Sequence, residues 1–215
     1  VGLKLLSVNV GMPRVIGTRG DEPILSGFGK APVKEGVIRA SATGLDGDGQ
    51  ADLSVHGGID KAIYAYPSEH GDWWRDEKSF PAAPAAFGEN LTLSGADETE
   101  ICIGDQFAWG EVLLEVSQPR GPCFKFDLFW SRSDLARSMT LSGRCGWYYR
   151  VLREATAPTF DTVLSRVARV SDLTVREAFK AGFDGRIPKE TRMAMARTPS
   201  LSDAWRRILL GNEGA

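Results

Sequence analysis

Close to Ala155-Thr-Ala-Pro158 the apolar residues of this chain change their period, and that change limits the folds open to it. Before it, Val112, Leu114 and Val116 alternate against Leu113 and Glu115. A period of two belongs to strands, whose successive side chains face opposite ways. After it, Val163, Leu164, Val167 and Val170 share one face at the 3.6-residue spacing of a helix. Strands followed by helices imply an α+β chain that is mainly β. The expectation is a β-rich domain over residues 1–157 and a small three-helix domain over 158–215.

Within the first part, strands are expected at 1–10, 36–42, 62–67, at 87–93 after a glycine turn, and in a hairpin from 101 to 117, with 146–152 as the last. Residues 11–35 are rich in Gly, Pro and charge and read as loops with a short strand near Ile24. A short helix capped by Ser68 follows at 68–75, residues 79–86 form a loop, and 127–137 has helical spacing. In the tail, Thr174-Val-Arg-Glu177 has the capping-box spacing. Leu201, Ala204, Trp205, Ile208 and Leu209 line a helix that Gly211 would end. Arg192, Arg197, Arg206 and Arg207 read as solvated faces of these helices, with a docking surface as the lesser alternative.

With 42% hydrophobic and 25% charged residues a packed core is feasible, and a net charge of -2 gives no electrostatic pull towards nucleic acid or an anionic membrane. No apolar run approaches the roughly 20 residues of a membrane helix, and the first ten residues lack a signal-peptide pattern. Cys102, Cys123 and Cys145 contain no CxxC pair, and the only histidines are His56 and His70. That argues against a disulfide framework or a zinc site, and for a reducing, cytoplasmic setting.

Two stretches carry chemistry. In Gln118-Pro-Arg-Gly-Pro-Cys123-Phe-Lys125 a thiol follows an expected strand in a proline-stiffened loop, flanked by Arg120 and Lys125. Positive charge beside a thiol favours the thiolate, which attacks electrophiles and binds soft metals. A buried structural cysteine is the equal alternative. The second stretch is the glycine-rich block 44–61. As a calcium loop it fails, with Ala51 at the turn and Gly57 at the last ligand position. His56-Gly-Gly58 lacks the nucleophile elbow of a hydrolase, and no nucleotide-binding fingerprint is present. The open readings are tight hairpin turns, which spacing favours, and a backbone-rich turn facing an anion with Lys61 nearby. Asn90 reads as a turn former or a ligand holder, and Arg144 as an anion ligand or a solvated turn charge. His70, Trp73, Trp74, Cys102 and Cys145 read as packing residues.

Taken together, Gly44 to Pro67, Phe87-Gly-Glu-Asn-Leu91, Ser117-Gln-Pro-Arg-Gly-Pro-Cys123 and Ser142-Gly-Arg-Cys-Gly-Trp-Tyr148 resemble the MOSC domain family, and within it the YiiM-like subgroup with a C-terminal three-helix domain. The resemblance implies a MOSC-type β-barrel followed by those helices. It implies that Cys123 is both the catalytic residue and the ligand of molybdenum in a molybdopterin-type molybdenum cofactor, with no dependence on pyridoxal phosphate. Lys61, Arg120, Arg144 and the amides of Gly57 and Gly58 are then candidates to hold the phosphate and pterin. His56 and Asn90 are candidates for hydrogen bonds to the pterin or to oxygen on the metal. Cys145 departs from the expected pattern and receives no role.

The activity implied is reduction of small N-hydroxylated compounds, such as N-hydroxylated purine bases, with Trp73, Trp74, Trp147 and Tyr148 as stacking candidates. A separate electron-donor protein is expected because flavin and NAD fingerprints are absent. No nucleic acid polymer and no membrane are expected as partners, and a homodimer is compatible. The alternative is a persulfide carrier or cofactor-binding module without turnover; a protein-interaction role centred on the helical tail is blander still.

Overall fold

The computed structural model describes residues 1–51 and 57–211. Its strands are β1 (Gly2–Val10), β2 (Arg14–Arg19), β3 (Glu22–Ser26), β4 (Ala31–Pro32), β5 (Val37–Ser41), β6 (Gly44–Leu45), β7 (Ile63–Pro67), β8 (Leu91–Ser94), β9 (Gln106–Trp109), β10 (Val112–Pro119), β11 (Trp147–Arg153), β12 (Ala155–Pro158) and β13 (Val163–Ala168). Its helices are α1 (Gly71–Lys78), α2 (Phe124–Phe129), α3 (Leu135–Ser142), α4 (Val175–Phe183), α5 (Lys189–Met195) and α6 (Asp203–Leu210).

Seven strands close a barrel in the order β1, β8, β7, β11, β10, β9 and β13, which returns to β1. Closure removes the unpaired edges that an open sheet of this size would carry. All neighbours in the ring are antiparallel except β7 and β8. β1 shows how the pattern builds the wall: Leu3 and Leu5 face inward while Lys4 and Leu6 are exposed, and a register shift before Ser7 then brings in Val8. The mixed α+β expectation, with a barrel at its centre, is met.

Residues 163–168 correct the helical reading of this stretch. Val163, Ser165 and Val167 are exposed while Leu164 is buried, and the strand fills the seam between β1 and β9. In Val163-Leu-Ser-Arg-Val-Ala168 the apolar spacing also fits period two, and the two open edges decide the matter. The barrel therefore continues past residue 157, and β11 is not its last strand. Another correction concerns 127–137, which is not one helix. Ser131 adopts φ 52° between α2 and α3, and the Asp127 carboxylate accepts the Ala136 N–H at 2.9 Å, a local bond that favours the break. Ser68 makes no capping bond either; it opens a short 3₁₀ turn before α1. Residues 11–35 hold the β2–β3 hairpin and β4 rather than loops with one strand.

The C-terminal helices follow their capping signals. Thr174 and Glu177 form a reciprocal capping box on α4, and Gly211 ends α6 at φ 75°. Trp205 of α6 is buried and donates its indole N–H to the Ala178 carbonyl at 3.2 Å. One buried apolar cluster runs from Leu3 in β1 to Leu209 in α6. The Ser202 N–H donates to the Ser117 carbonyl at 3.0 Å and its hydroxyl to Gln118 Oε1 at 2.7 Å. These bonds fix α6 to the strand that leads to Cys123. Of the tail arginines, Arg197 and Arg207 are exposed, whereas the Arg206 guanidinium is tied to the carbonyls of Ala196, Thr198 and Leu201. No described helix is long and apolar enough to cross a membrane.

Candidate active site

β10 and β11 set the position of the cysteine loop. Gln118 and Pro119 still pair with Tyr148 and Trp147, and the Arg120 N–H reaches the Gly146 carbonyl at 3.3 Å. The chain then turns, and Cys123 sits at the N-cap of α2 with extended backbone and a half-buried side chain. None of the three cysteines forms a disulfide.

Cys123 lines a pocket with Lys61, Asn90 and Arg120, so four of the residues singled out from sequence come together. Lys30, Asp48, Tyr64, Lys125 and Tyr148 add to its polar wall with Ser26 and Gln50, and Phe28 and Phe87 add rings. Four cations therefore face one carboxylate. Lys30 and Asp48 form a buried ion pair. Asp48 also accepts the Gly11 N–H at 2.9 Å and the Asn90 amide at 2.8 Å. Burial pulls the Lys30 ammonium below its usual range despite Asp48. Lys61 is lowered too, first by burial, with Asp60 opposing and Arg207 of α6 adding repulsion. Arg120 lies 5.5 Å from the centre of the Tyr64 ring and contacts Met139 Sδ at 3.5 Å. Burial acts to lower its pKa, but Tyr64, Tyr148 and Cys123 outweigh it and the net shift is upward, so the guanidinium stays charged.

Asn90 lines the pocket with its amide engaged. Its oxygen accepts the Tyr64 N–H at 3.0 Å, and its nitrogen donates to the Asn9 carbonyl at 3.2 Å as well as to Asp48. It brackets β1, β7 and Asp48 together. Gly57 and Gly58 are not among the lining residues; Gly58, at φ 95°, opens the 3₁₀ turn Ile59–Lys61 that places Lys61. His56 lies outside the described residues. Arg144 is likewise not in the lining: its guanidinium rests 4.5 Å from the centre of the Trp73 ring. Trp74 and Trp147 are fully buried, and of the stacking candidates Tyr148 alone lines the pocket. Sequence reasoning missed Lys30, Asp48 and Tyr64. The signal for Lys30 was its place after Gly27-Phe-Gly29, where added Cβ atoms would strike neighbouring groups and the backbone packs closely.

Two buried carboxylates support the pocket. Glu98 Oε1 accepts the N–H groups of Cys145 and Gly146 at 2.9 and 2.6 Å, and Oε2 lies 2.6 Å from His70 Nε2 and 3.5 Å from the Arg176 guanidinium. His70, Asp97 and Glu98 offer metal-ligand atoms within 4.8 Å of one another. With its oxygens so engaged and Arg176 adjacent, Glu98 acts as a clamp on the turn behind the pocket. The Cys145 thiol in that turn is fully buried, and burial first, then Glu98, pushes its pKa well up.

Glu89, between the lining residues Gly88 and Asn90, is fully buried and accepts from Ala85 N, Phe87 N and Thr92 Oγ1. Burial raises its carboxyl from 4.5 to about 7, against the lowering effect of those bonds. The folded state thus holds this proton more tightly than the unfolded chain. Stability from this group is present in full below pH 4.5 and is lost as pH rises through 7, on the order of 3 kcal/mol. Urea unfolding of wild type and Glu89→Gln at pH 4.5 and 8 is expected to show this loss in the wild type alone. Equal pH dependence in both proteins would rule it out.

Residues 52–165 match the MOSC domain model. Protein YiiM of Escherichia coli (strain K12) is 39% identical over 181 residues, 81% of this chain and 79% of that protein. A Gibberella moniliformis protein named Reductase is 40% identical over 137 residues, which cover 60% of this chain and 24% of that protein. The crystal structure of YiiM from Geobacillus stearothermophilus superposes with a TM-score of 0.80 at 30% identity, covering 99% of this chain and 100% of that one. The closed barrel and these likenesses over most of the chain agree: the protein belongs to the MOSC domain family, as a YiiM-like member.

Proposed function

We propose that this protein is a cytoplasmic, molybdenum-cofactor-dependent reductase of small N-hydroxylated compounds, with Cys123 as the metal ligand. The observation that carries the reading is a half-buried cysteine in a pocket of four cations and one carboxylate. That donor set fits the group the family implies: a thiol for a soft metal, cations for a phosphate, and aromatic rings for a planar heterocycle. The cofactor, when bound, supplies two-electron redox chemistry. Cys123 would hold its metal, while Lys61, Arg120 and Lys125 would receive its anionic group. Tyr64, Tyr148, Phe28 and Phe87 would flank a flat ring, and Asn90 keeps Asp48 and Lys30 in place behind them. A separate protein would deliver the electrons. The name of the Gibberella moniliformis relative supports the reductase class.

The test is turnover by protein made in a host that synthesises the cofactor, with reduced viologen as donor and a hydroxylaminopurine as substrate. Viologen oxidation matched by formation of the aminopurine is expected. Absence of the amine, together with a persulfide on Cys123, would instead make the protein a sulfur carrier.

A further inference from the structure

Of the two tyrosines in the pocket, one has its proton committed and the other has no acceptor for its proton among the described residues. The Tyr64 hydroxyl donates to the Cys145 carbonyl at 2.8 Å. Tyr148 stands beside it, ring centres 5.2 Å apart, on a strand register that places it opposite both Tyr64 and Gln118. No group among the described residues accepts the Tyr148 hydroxyl proton, although the side chain lines the pocket near Arg120 and Cys123. Other proton carriers on the wall are engaged: Lys30 with Asp48, and Lys125 with the Leu25 carbonyl at 3.0 Å.

We propose that Tyr148 is the catalytic proton donor of this site, its hydroxyl protonating the oxygen that leaves when an N–O bond is reduced. This rests on the reductase reading above. In the step, the N–O bond breaks and two electrons from the reduced donor protein go to the substrate. The Tyr148 proton joins the departing hydroxide to give water, and a second proton, from solvent, goes to nitrogen. Solvent then reprotonates the tyrosinate, whose charge the Arg120 guanidinium offsets in the meantime. Burial keeps the phenol protonated beforehand by raising its pKa, with Arg120 opposing. A hydroxyl that accepts from Arg120 and whose own proton meets no acceptor among the described residues also suits a ligand with a polar oxygen over one without it.

Tyr148→Phe removes one oxygen and leaves the ring. The expected result is a fall in kcat of about 10²- to 10⁴-fold, the usual range for a general acid, and a rise in KM of about 3- to 10-fold from the lost hydrogen bond, with molybdenum content and melting temperature close to wild type. In protein free of cofactor, wild type is expected to bind the hydroxylaminopurine about 3- to 10-fold more tightly than the aminopurine, as one hydrogen bond allows, and Tyr148→Phe to bind them equally. Wild-type kcat in the variant overturns the proton-donor role. An unchanged binding ratio overturns the contact between Tyr148 and the substrate oxygen. A wild type that binds molybdenum yet reduces no hydroxylamine overturns the reductase reading and the proton transfer with it, while the ratio still decides the contact.

Discussion

Glu98→Ala is expected to lower the melting temperature by roughly 10 °C. The side chain is completely buried and receives two backbone N–H groups, His70 and Arg176. Truncation leaves the two amides and His70 without this acceptor in the interior, and leaves Arg176, still held by the Ser142 carbonyl, without its carboxylate. The cost is that of an uncompensated buried charge plus unpaired amides, about 3–5 kcal/mol. Glu98→Gln keeps an oxygen for the Cys145–Gly146 turn but loses the charge facing Arg176, so its melting temperature should fall between the two. Calorimetry on the three proteins decides the matter; a shift under about 2 °C for the alanine variant would show that the clamp does not hold the turn. The effect reaches the site, because that turn receives the Arg120 N–H and the Tyr64 hydroxyl. Any Glu98→Ala protein that remains folded should therefore also lose activity.

Cys123→Ala should do the opposite. Turnover of the hydroxylaminopurine is expected to fall to the rate of buffer alone, while the melting temperature stays within about 2 °C of wild type. The thiol is only half buried, so its removal leaves no sealed cavity. Cys123→Ser should behave the same way, since a hydroxyl is a poorer partner than a thiolate for a soft metal. Retained turnover in either variant would remove Cys123 from the chemistry. Loss of fold in both would make it a structural residue.

Much of this architecture was legible in the sequence because local signals and tertiary packing agreed. Alternation in β1 and β10, the capping box at Thr174 and the glycine stop at Gly211 all point where the chain goes. β13 was misread because six residues with valines and a leucine satisfy either period, and only the gap between β1 and β9 selects the strand. The break between α2 and α3 depends on a side-chain bond from Asp127 to a backbone nine residues on, which periodicity does not encode. In the pocket, Cys123, Lys61 and Arg120 stood out by residue type and neighbours. Lys30, Asp48 and Tyr64 did not, because their roles arise from contacts between segments 18 to 42 residues apart in sequence, bracketed by Asn90. Arg144 was chosen for its charge and its turn, and the fold directs its guanidinium to Trp73 instead.

The central claim, that Cys123 holds the metal of a molybdenum cofactor, is tested most directly by elemental analysis. Wild type and Cys123→Ala would be produced side by side in a host that makes the cofactor and analysed for molybdenum per folded chain. Stoichiometric molybdenum in the wild type and its loss in the variant is the expected result. Equal molybdenum in both, or none in a wild type that reduces hydroxylaminopurine, would contradict it.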